Sequence, residues 1–187
     1  MQLLPSPSSH PLHSEQSDRN PSIERVVILI DAASLFYAAS HLGIEIDYTK
    51  LLQTLTHGRP LIRAYFYTGI DPANKKQQNF LFWMRHHGYR VVAKELIQHL
   101  DGTKKANLQI EMAIDMLKLA SHCETLIVLS GNGELAYAVR KATDFGVQIE
   151  VVSLPSMLND ELRDVADRFI DLTKLQTMIQ KSVPQAG

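Results

Sequence analysis

Cysteine is nearly absent from this chain, and so is any long hydrophobic run. The 187 residues include one cysteine, Cys123, which excludes an internal disulfide and a multi-cysteine metal cluster. A single thiol suits a reducing compartment. No stretch approaches the roughly 18 consecutive apolar residues that a membrane span needs. We therefore expect a cytoplasmic protein with no membrane partner.

The chain also lacks a charge excess of either sign. Its 19 basic and 20 acidic side chains give a formal net charge of -1. The protein as a whole has no bulk attraction to nucleic acid or to membranes, so any basic binding surface must be local. With 45% hydrophobic residues, a chain of this length can bury one substantial core but is short for two.

Residues 1–24 show no apolar period and are rich in Pro, Ser, His and other polar residues, which predicts a disordered tail. The tail lacks the basic start and the apolar stretch of a secretory signal. We expect the folded domain to cover residues 25–181 and residues 182–187 to be a flexible C-terminus.

From residue 26 onward, short β-branched runs alternate with segments of helical period. Nearly continuous Val, Ile and Leu are typical of strands buried on both faces of a parallel sheet. Strands are predicted at 26–30, 61–67, 89–96, 125–130 and 147–153, with a candidate edge strand at 169–172. Helices are predicted at 34–42, 48–55, 73–87, 107–121, 134–144, 160–167 and 172–180. The alternation predicts an α/β fold, a doubly wound and mainly parallel sheet with helices on both faces.

Two strand ends of this predicted sheet carry polar residues. In such sheets, ligands bind beyond the carboxyl ends of the strands, near the point where the winding reverses. The first strand ends in Asp31, which suits either a helix N-cap or a ligand for a hard metal ion. The fourth strand runs into the loop SGNGE at 130–134, whose glycines free backbone N–H groups for a ligand or simply form a tight turn. The loop has the spacing of neither a P-loop nor a G-x-G-x-x-G fingerprint.

The helix that begins near Asn107 contains a carboxylate in its most apolar part. We expect Ile110, Ala113, Ile114 and Leu117 to form its buried stripe. Asp115 lies between Ile114 and Met116, so it needs a partner such as a lysine, a cap or a metal ion. Basic residues near the strand ends form either a modest phosphate-binding rim or ordinary surface charge, and they are Lys104, Lys105, Arg140 and Lys141. None of the eight histidines has metal-ligand spacing.

Three separated segments together resemble the NYN domain family, a PIN-like nuclease group, and most closely its LabA-like branch. They are VVILIDAASLFYAA, KKANLQIEMAIDMLKLA and TLIVLSGNGELAYAVRKATDFGVQIEVVS, within roughly residues 25 to 172. The resemblance implies a Rossmann-like PIN fold and an acidic cluster that binds Mg²⁺ or Mn²⁺ for RNA phosphodiester cleavage. The LabA-like branch is also linked to circadian regulation of gene expression.

Two acidic positions of the family pattern match in this chain. They are Asp31 at the end of the first strand and Asp115 in the helix. Three positions depart from the family pattern. Ser34 stands where the family usually has Asn, and Gln109 where it has Asp. The family's SGDxD loop is SGNGE here, so Asn132 replaces an acid while Glu134 keeps one. Glu111 cannot substitute for Gln109, because two positions along a helix turn it about 200° away.

On this resemblance, the expected catalytic residues are Asp31, Asp115 and Glu134. Mg or Mn is expected to bind weakly, as one ion rather than two, since each lost carboxylate weakens such a site. Its expected ligands are Asp31, Asn132, Glu134 and Gln109. The residues expected to contact RNA are Ser34, Lys105, Ser130, Gly131, Gly133 and Arg140.

Two functions therefore remain open. The first is a metal-dependent ribonuclease of reduced or altered activity, acting in RNA processing or in the regulation of gene expression. The second is a catalytically inactive regulatory module that binds RNA or a protein partner in the same place. A third interpretation, a nucleotide-binding Rossmann protein, rests on fold analogy alone.

Overall fold

The computed structural model describes residues 24–98 and 102–182. The strands are β1 (Val26–Asp31), β2 (Leu61–Ile70), β3 (Tyr89–Glu95), β4 (Ile97–Gln98), β5 (Lys104–Lys105), β6 (Thr125–Leu129), β7 (Gln148–Ser153) and β8 (Arg168–Asp171). The α-helices are α1 (Ala32–Leu42), α2 (Tyr48–Thr56), α3 (Lys75–His86), α4 (Gln109–Leu119), α5 (Ala136–Thr143), α6 (Asp160–Val165) and α7 (Gln176–Ile179). Short 3₁₀ helices at Gly133–Leu135 and Leu172–Leu175 precede α5 and α7. Apart from Glu24 and Ser182, the predicted tail and C-terminus lie outside the described residues.

Six strands form one parallel sheet in the order β3-β2-β1-β6-β7-β8. The chain builds outward from β1 to β3 and then continues on the other side of β1 with β6. The winding therefore reverses between β1 and β6, which pair from Val26 with Thr125 to Ile30 with Leu129. Every residue of these two central strands is buried. The predicted doubly wound sheet is confirmed, and so is the edge strand, β8.

Helices cover both faces of the sheet, because successive strand residues point to opposite sides. Ile28 and Ile30 of β1 belong to one apolar core, which also contains residues of α1, α2, α3 and α7. Val27 and Leu29 belong to the other core, with residues of α4, α5 and α6. The chain thus has two apolar cores, one on each face of a single sheet, where the sequence predicted one. None of the helices within the described ranges is long and apolar enough to cross a membrane.

Helix α4 turns a different side to the core than the sequence predicts. Met112 and Met116 are its buried residues. Ile110 and Ile114, which were expected in the buried stripe, are 69% and 60% exposed. The helix has apolar residues on two sides, and the flexible methionine side chains fill the core. Helical period identifies such a helix but does not choose between its two apolar sides.

The two short strands β4 and β5 form an antiparallel pair that the sequence did not predict. Ile97 pairs with Lys105 and Gln98 with Lys104, directly after the carboxyl end of β3. The base of this hairpin packs closely against β2 at Gly69. A Cβ atom on Gly69 would lie 2.5 Å from Leu96 Cδ2 and 3.2 Å from Ala106 Cβ. The hairpin thus forms one wall at the strand ends.

Candidate functional site

Asp31 ends β1 and caps α1 at the point where the winding of the sheet reverses. Its Oδ1 accepts a hydrogen bond of 3.1 Å from the Ala33 backbone N–H. Its Oδ2 accepts one of 2.8 Å from Ser34 Oγ and one of 3.2 Å from Ser130 Oγ. Asp31 is 9% exposed, so these three donors and the helix N-terminus stabilise its charge. The N-cap interpretation of Asp31 is confirmed.

Ser130 supports Asp31 from the neighbouring strand. The residue follows β6 directly and is completely buried. Its Oγ also accepts a hydrogen bond of 3.2 Å from the Asn132 backbone N–H. The Ser130 hydroxyl therefore ties the loop at 130–134 to the carboxylate of Asp31. Its expected contact with RNA stays a prediction, and no Ser130 side-chain surface is exposed for it.

A cleft of about 700 Å³ opens between the ends of the central strands, the β4–β5 hairpin and the start of α4. Four of the expected site residues line it: Lys105, Gln109, Asn132 and Glu134. Residues that the sequence analysis did not select also line it, among them Phe36, Thr68, Gln77 and Asn107. Asp31 lines a smaller cavity of about 60 Å³. Gln109 lines both spaces, so the small cavity adjoins the cleft.

A chain of amide side chains joins the start of α4 to the loop before α5. Asn132 Oδ1 accepts a hydrogen bond of 3.0 Å from the Glu134 backbone N–H and thereby caps the 3₁₀ helix. Asn107 donates from Nδ2 to Glu134 Oε2 at 3.4 Å, and its Oδ1 accepts from the Gln109 N–H at 3.0 Å. Asn107 was missed, although an Asn just before a helix is a recognisable cap signal. The Gln109 side chain forms no hydrogen bond with another described residue.

Asp115 has a partner that the sequence did not indicate. Tyr67, a buried residue of β2, donates a hydrogen bond of 2.9 Å from its hydroxyl to Asp115 Oδ2. Burial raises the pKa of Tyr67 well above its usual range, and the charge of Asp115 adds to this shift. Asp115 lines neither the cleft nor the small cavity of Asp31. The structure therefore does not bring all three expected catalytic acids into one space.

The two glycines of the loop are explained by a close approach of the chain. A Cβ atom on Gly133 would lie 2.5 Å from Asn159 Cγ, and one on Gly131 would overlap the Met157 carbonyl oxygen. The Asn159 backbone N–H also donates to the Gly131 carbonyl at 3.0 Å. Gly131 thus leaves room for the Met157 backbone, and Gly133 leaves room for the Asn159 side chain, which caps α6. Whether these glycines also contact RNA stays a prediction.

Of the four basic residues predicted near the strand ends, the two lysines of β5 line the cleft. Lys104 forms an exposed ion pair with Asp71 at 2.9 Å, and this hydrogen bond lowers the pKa of Asp71. Lys105 forms no salt bridge with another described residue. Arg140 is exposed on α5 but does not line the cleft, and Lys141 pairs with Asp144. An exposed pair contributes little stability, so both β5 lysines are available to an anionic ligand.

The side chains present do not fit a tightly held pair of metal ions. Within residues 24–98 and 102–182, no group of three or more His, Cys, Asp or Glu side chains is placed to hold an ion. Glu134 is the one described carboxylate that lines the cleft, and Asp31 is the one that lines the small cavity. Gln109 and Asn132 offer carbonyl oxygens but no negative charge, which Mg²⁺ and Mn²⁺ sites depend on.

Matches to known proteins include a family model, a relative of similar length and a solved structure. A model of the NYN domain family matches residues 25–173. "Low amplitude and bright protein LabA" of Synechococcus elongatus is 33% identical over 168 residues, which cover 84% of this chain and 89% of that protein. The crystal structure of a protein of unknown function from Vibrio parahaemolyticus has a TM-score of 0.70 and 24% identity, covering 84% of this chain and 96% of its own. At that identity, the structural likeness shows the fold alone.

Proposed function

Because this chain belongs to the NYN domain family, within the PIN-like nuclease superfamily, we propose that it binds single-stranded RNA in the strand-end cleft and cleaves it weakly. The supporting observation is the set of side chains that line the cleft. Two lysines and several amides line it, with Glu134 as its one described carboxylate. The expected cytoplasmic location belongs to this proposal too.

The lysines and amides suit RNA in complementary ways. Lys105 and Lys104 provide positive charge for the phosphates, which gives affinity but no sequence preference. Gln109 and Asn132 offer donors and acceptors to base edges, and such edges are accessible in single strands but not in the deep groove of an RNA duplex. The net charge of -1 is compatible with this binding, because the basic surface is local.

The carboxylates explain why cleavage is expected to be weak. Nucleases of this superfamily generally use divalent metals, which lower the pKa of a bound water and offset charge on the phosphate. Asp31 Oδ2 already accepts two hydroxyl hydrogen bonds, and Glu134 lies in the adjoining space. Binding of Mg or Mn by Asp31 and Glu134, with neutral oxygens of Asn132 and Gln109, is therefore expected to be weak and limited to one ion.

Cleavage of a panel of single-stranded RNAs with Mn²⁺ tests this proposal. Asp31→Asn removes the charge but keeps a good helix N-cap. Asp47→Asn is the matched control, because Asp47 caps α2 through the Thr49 and Lys50 N–H groups and does not line the cleft. We expect any slow cleavage by the wild type to disappear in Asp31→Asn and to persist in Asp47→Asn, while all three proteins bind RNA. Equal cleavage by wild type and Asp31→Asn, or no RNA binding by the wild type, would overturn the proposal.

A second candidate is a regulatory module that binds RNA or a protein partner and never cleaves, as in the gene-expression role that the LabA-like resemblance implies. The neutral side chains of Gln109 and Asn132 favour it. Calorimetry separates the two candidates: millimolar-range or tighter Mn²⁺ binding that Asp31→Asn abolishes supports the weak enzyme, and no binding supports the module.

Restoring the acids gives a further test of the second candidate. Gln109→Asp is compatible with the first turn of α4, and Asn132→Asp preserves an N-cap. If only charge is missing, the double variant gains Mn²⁺-dependent cleavage. A folded double variant that binds Mn²⁺ and still fails to cleave would show that the loss of charge does not explain inactivity.

A further inference from the structure

Phe36 exposes an aromatic ring to the cleft. The residue lies on the first helix after Asp31, lines the cleft and is 44% exposed. Its ring packs nearly perpendicular to that of Phe66, with centroids 6.0 Å apart and an interplanar angle of 70°. Phe66 is completely buried, so the core holds one side of the Phe36 ring while another part remains open.

We propose that Phe36 is a base-stacking residue, which makes this cleft selective for unpaired bases of single-stranded RNA. The inference rests on the proposed function and assigns a specificity-determining residue to the same site. An unpaired base has a π face that is free to stack on an aromatic side chain, whereas the bases of a duplex already stack on one another. The partial exposure of Phe36 leaves apolar surface that a base covers.

The neighbours of Phe36 in the cleft complete such a subsite. Lys105 has no ion pair among the described residues and is free to contact the phosphate of the stacked nucleotide. The Gln109 amide, which has no described hydrogen-bond partner, is available to a base edge. Gln77 differs, because its Nε2 donates to the Gly69 carbonyl and its Oε1 accepts from the Asp71 N–H. Gln77 therefore shapes the wall of the cleft.

Four variants separate stacking from a structural role of the ring. Phe36→Leu keeps an apolar side chain but removes the π face, and Phe36→Trp restores one. Phe82→Leu is the matched control, because Phe82 is 63% exposed on α3, packs against the tilted ring of His86 and does not line the cleft. Lys105→Gln removes the expected phosphate contact.

The measurement is equilibrium binding by fluorescence anisotropy to a labelled single-stranded RNA octamer, to an abasic ribose-phosphate octamer and to the octamer as a duplex. We expect Phe36→Leu to weaken binding of the single strand about five-fold or more. Phe36→Trp and Phe82→Leu should bind it like the wild type. Wild type and Phe36→Leu should bind the abasic octamer with equal affinity, which is weaker than the affinity of the wild type for the single strand. Lys105→Gln should weaken binding of the single-stranded octamer and of the abasic octamer.

The outcomes distinguish failure of the stacking role of Phe36 from failure of RNA binding itself. A wild type that binds none of the three probes overturns the proposed function and the inference with it. A wild type that binds the single strand while Phe36→Leu binds it equally well overturns the stacking role alone. Equal wild-type affinities for the single strand and for the abasic octamer or the duplex overturn it as well.

Discussion

Tyr67 of β2 lies opposite Asp31 of β1 in the sheet register, and its hydroxyl donates a hydrogen bond of 2.9 Å to Asp115. Asp31 and Asp115 are the two acids that the family resemblance identifies in this chain. The hydrogen bond from Tyr67 fixes the carboxylate of Asp115 to β2, the strand next to β1, and this carboxylate does not line the cavity of Asp31. In this arrangement Asp115 stabilises the packing of α4 on the sheet, and the position of α4 in turn sets the cleft wall that contains Gln109.

Removing the Tyr67 hydroxyl should therefore reduce stability. Tyr67→Phe removes a hydrogen bond to a charged group, so we expect the free energy of unfolding to fall by about 1.5 to 3 kcal/mol. Tyr65→Phe is the control, since Tyr65 stacks on Tyr67 and its hydroxyl has no hydrogen-bond partner among the described residues. Urea unfolding measures both. Equal losses in the two variants would contradict a specific role of the Tyr67 hydroxyl.

A buried ion pair stabilises the opposite end of the sheet. Arg59 contacts Glu150 at 2.9 Å, and the Glu150 side chain is 6% exposed. Arg59→Met leaves this buried carboxylate with only the weaker contact of Arg168 at 3.4 Å among the described residues. We expect a loss of about 3 to 5 kcal/mol of unfolding free energy with unchanged RNA affinity. A loss below about 1 kcal/mol, the size expected for an exposed pair, would contradict this account.

The pair of Arg25 and Glu124 predicts part of the acid sensitivity. Hydrogen bonds from Arg25 lower the pKa of Glu124 from 4.5 to about 2. A lowered folded-state pKa adds stability above the unfolded value of 4.5, and this contribution disappears as the pH falls through about 2. Wild type should therefore exceed Glu124→Gln in unfolding free energy above about pH 4.5, with the difference shrinking toward pH 2. A difference that stays constant across this range would exclude the ionised Glu124 as its source.

Cys123 should be unreactive in the native protein. The residue is 7% exposed, and burial together with the charge of Glu124 raises the pKa of its thiol to about 11. Thiolate is the reactive form, so labelling by a thiol reagent at pH 8 should be slow in the native state and fast in urea. Fast labelling without urea would indicate that the end of α4 opens readily.

The sequence predicts the sheet well because its signals are local. Continuous apolar runs identify β1 and β6, and the alternation with helices indicates the parallel arrangement. The contact between Asp31 and Ser130 was not predictable in the same way. It depends on the order of the strands, which places the ends of β1 and β6 side by side.

The features that the sequence did not predict share a physical cause. Tertiary packing decides between residues that are equally suitable by their local sequence. Ile110 and Met112 are both suitable core residues, and the sheet selects Met112. Phe36 belongs to an apolar helix segment, and only the fold shows that its ring reaches the cleft. The β4–β5 hairpin has two-residue strands with little apolar character, so periodicity gives no signal for it.

The most direct test of the central claim is RNA binding by Lys105→Gln compared with Lys118→Gln, measured over a range of salt concentrations. Lys105 lines the cleft, whereas Lys118 is an exposed lysine of α4 outside it. The account predicts that Lys105→Gln binds single-stranded RNA more weakly, with a salt dependence reduced by about 0.7 in log–log slope, and that Lys118→Gln binds like the wild type. Equal affinities and equal slopes for all three proteins would contradict RNA binding in this cleft.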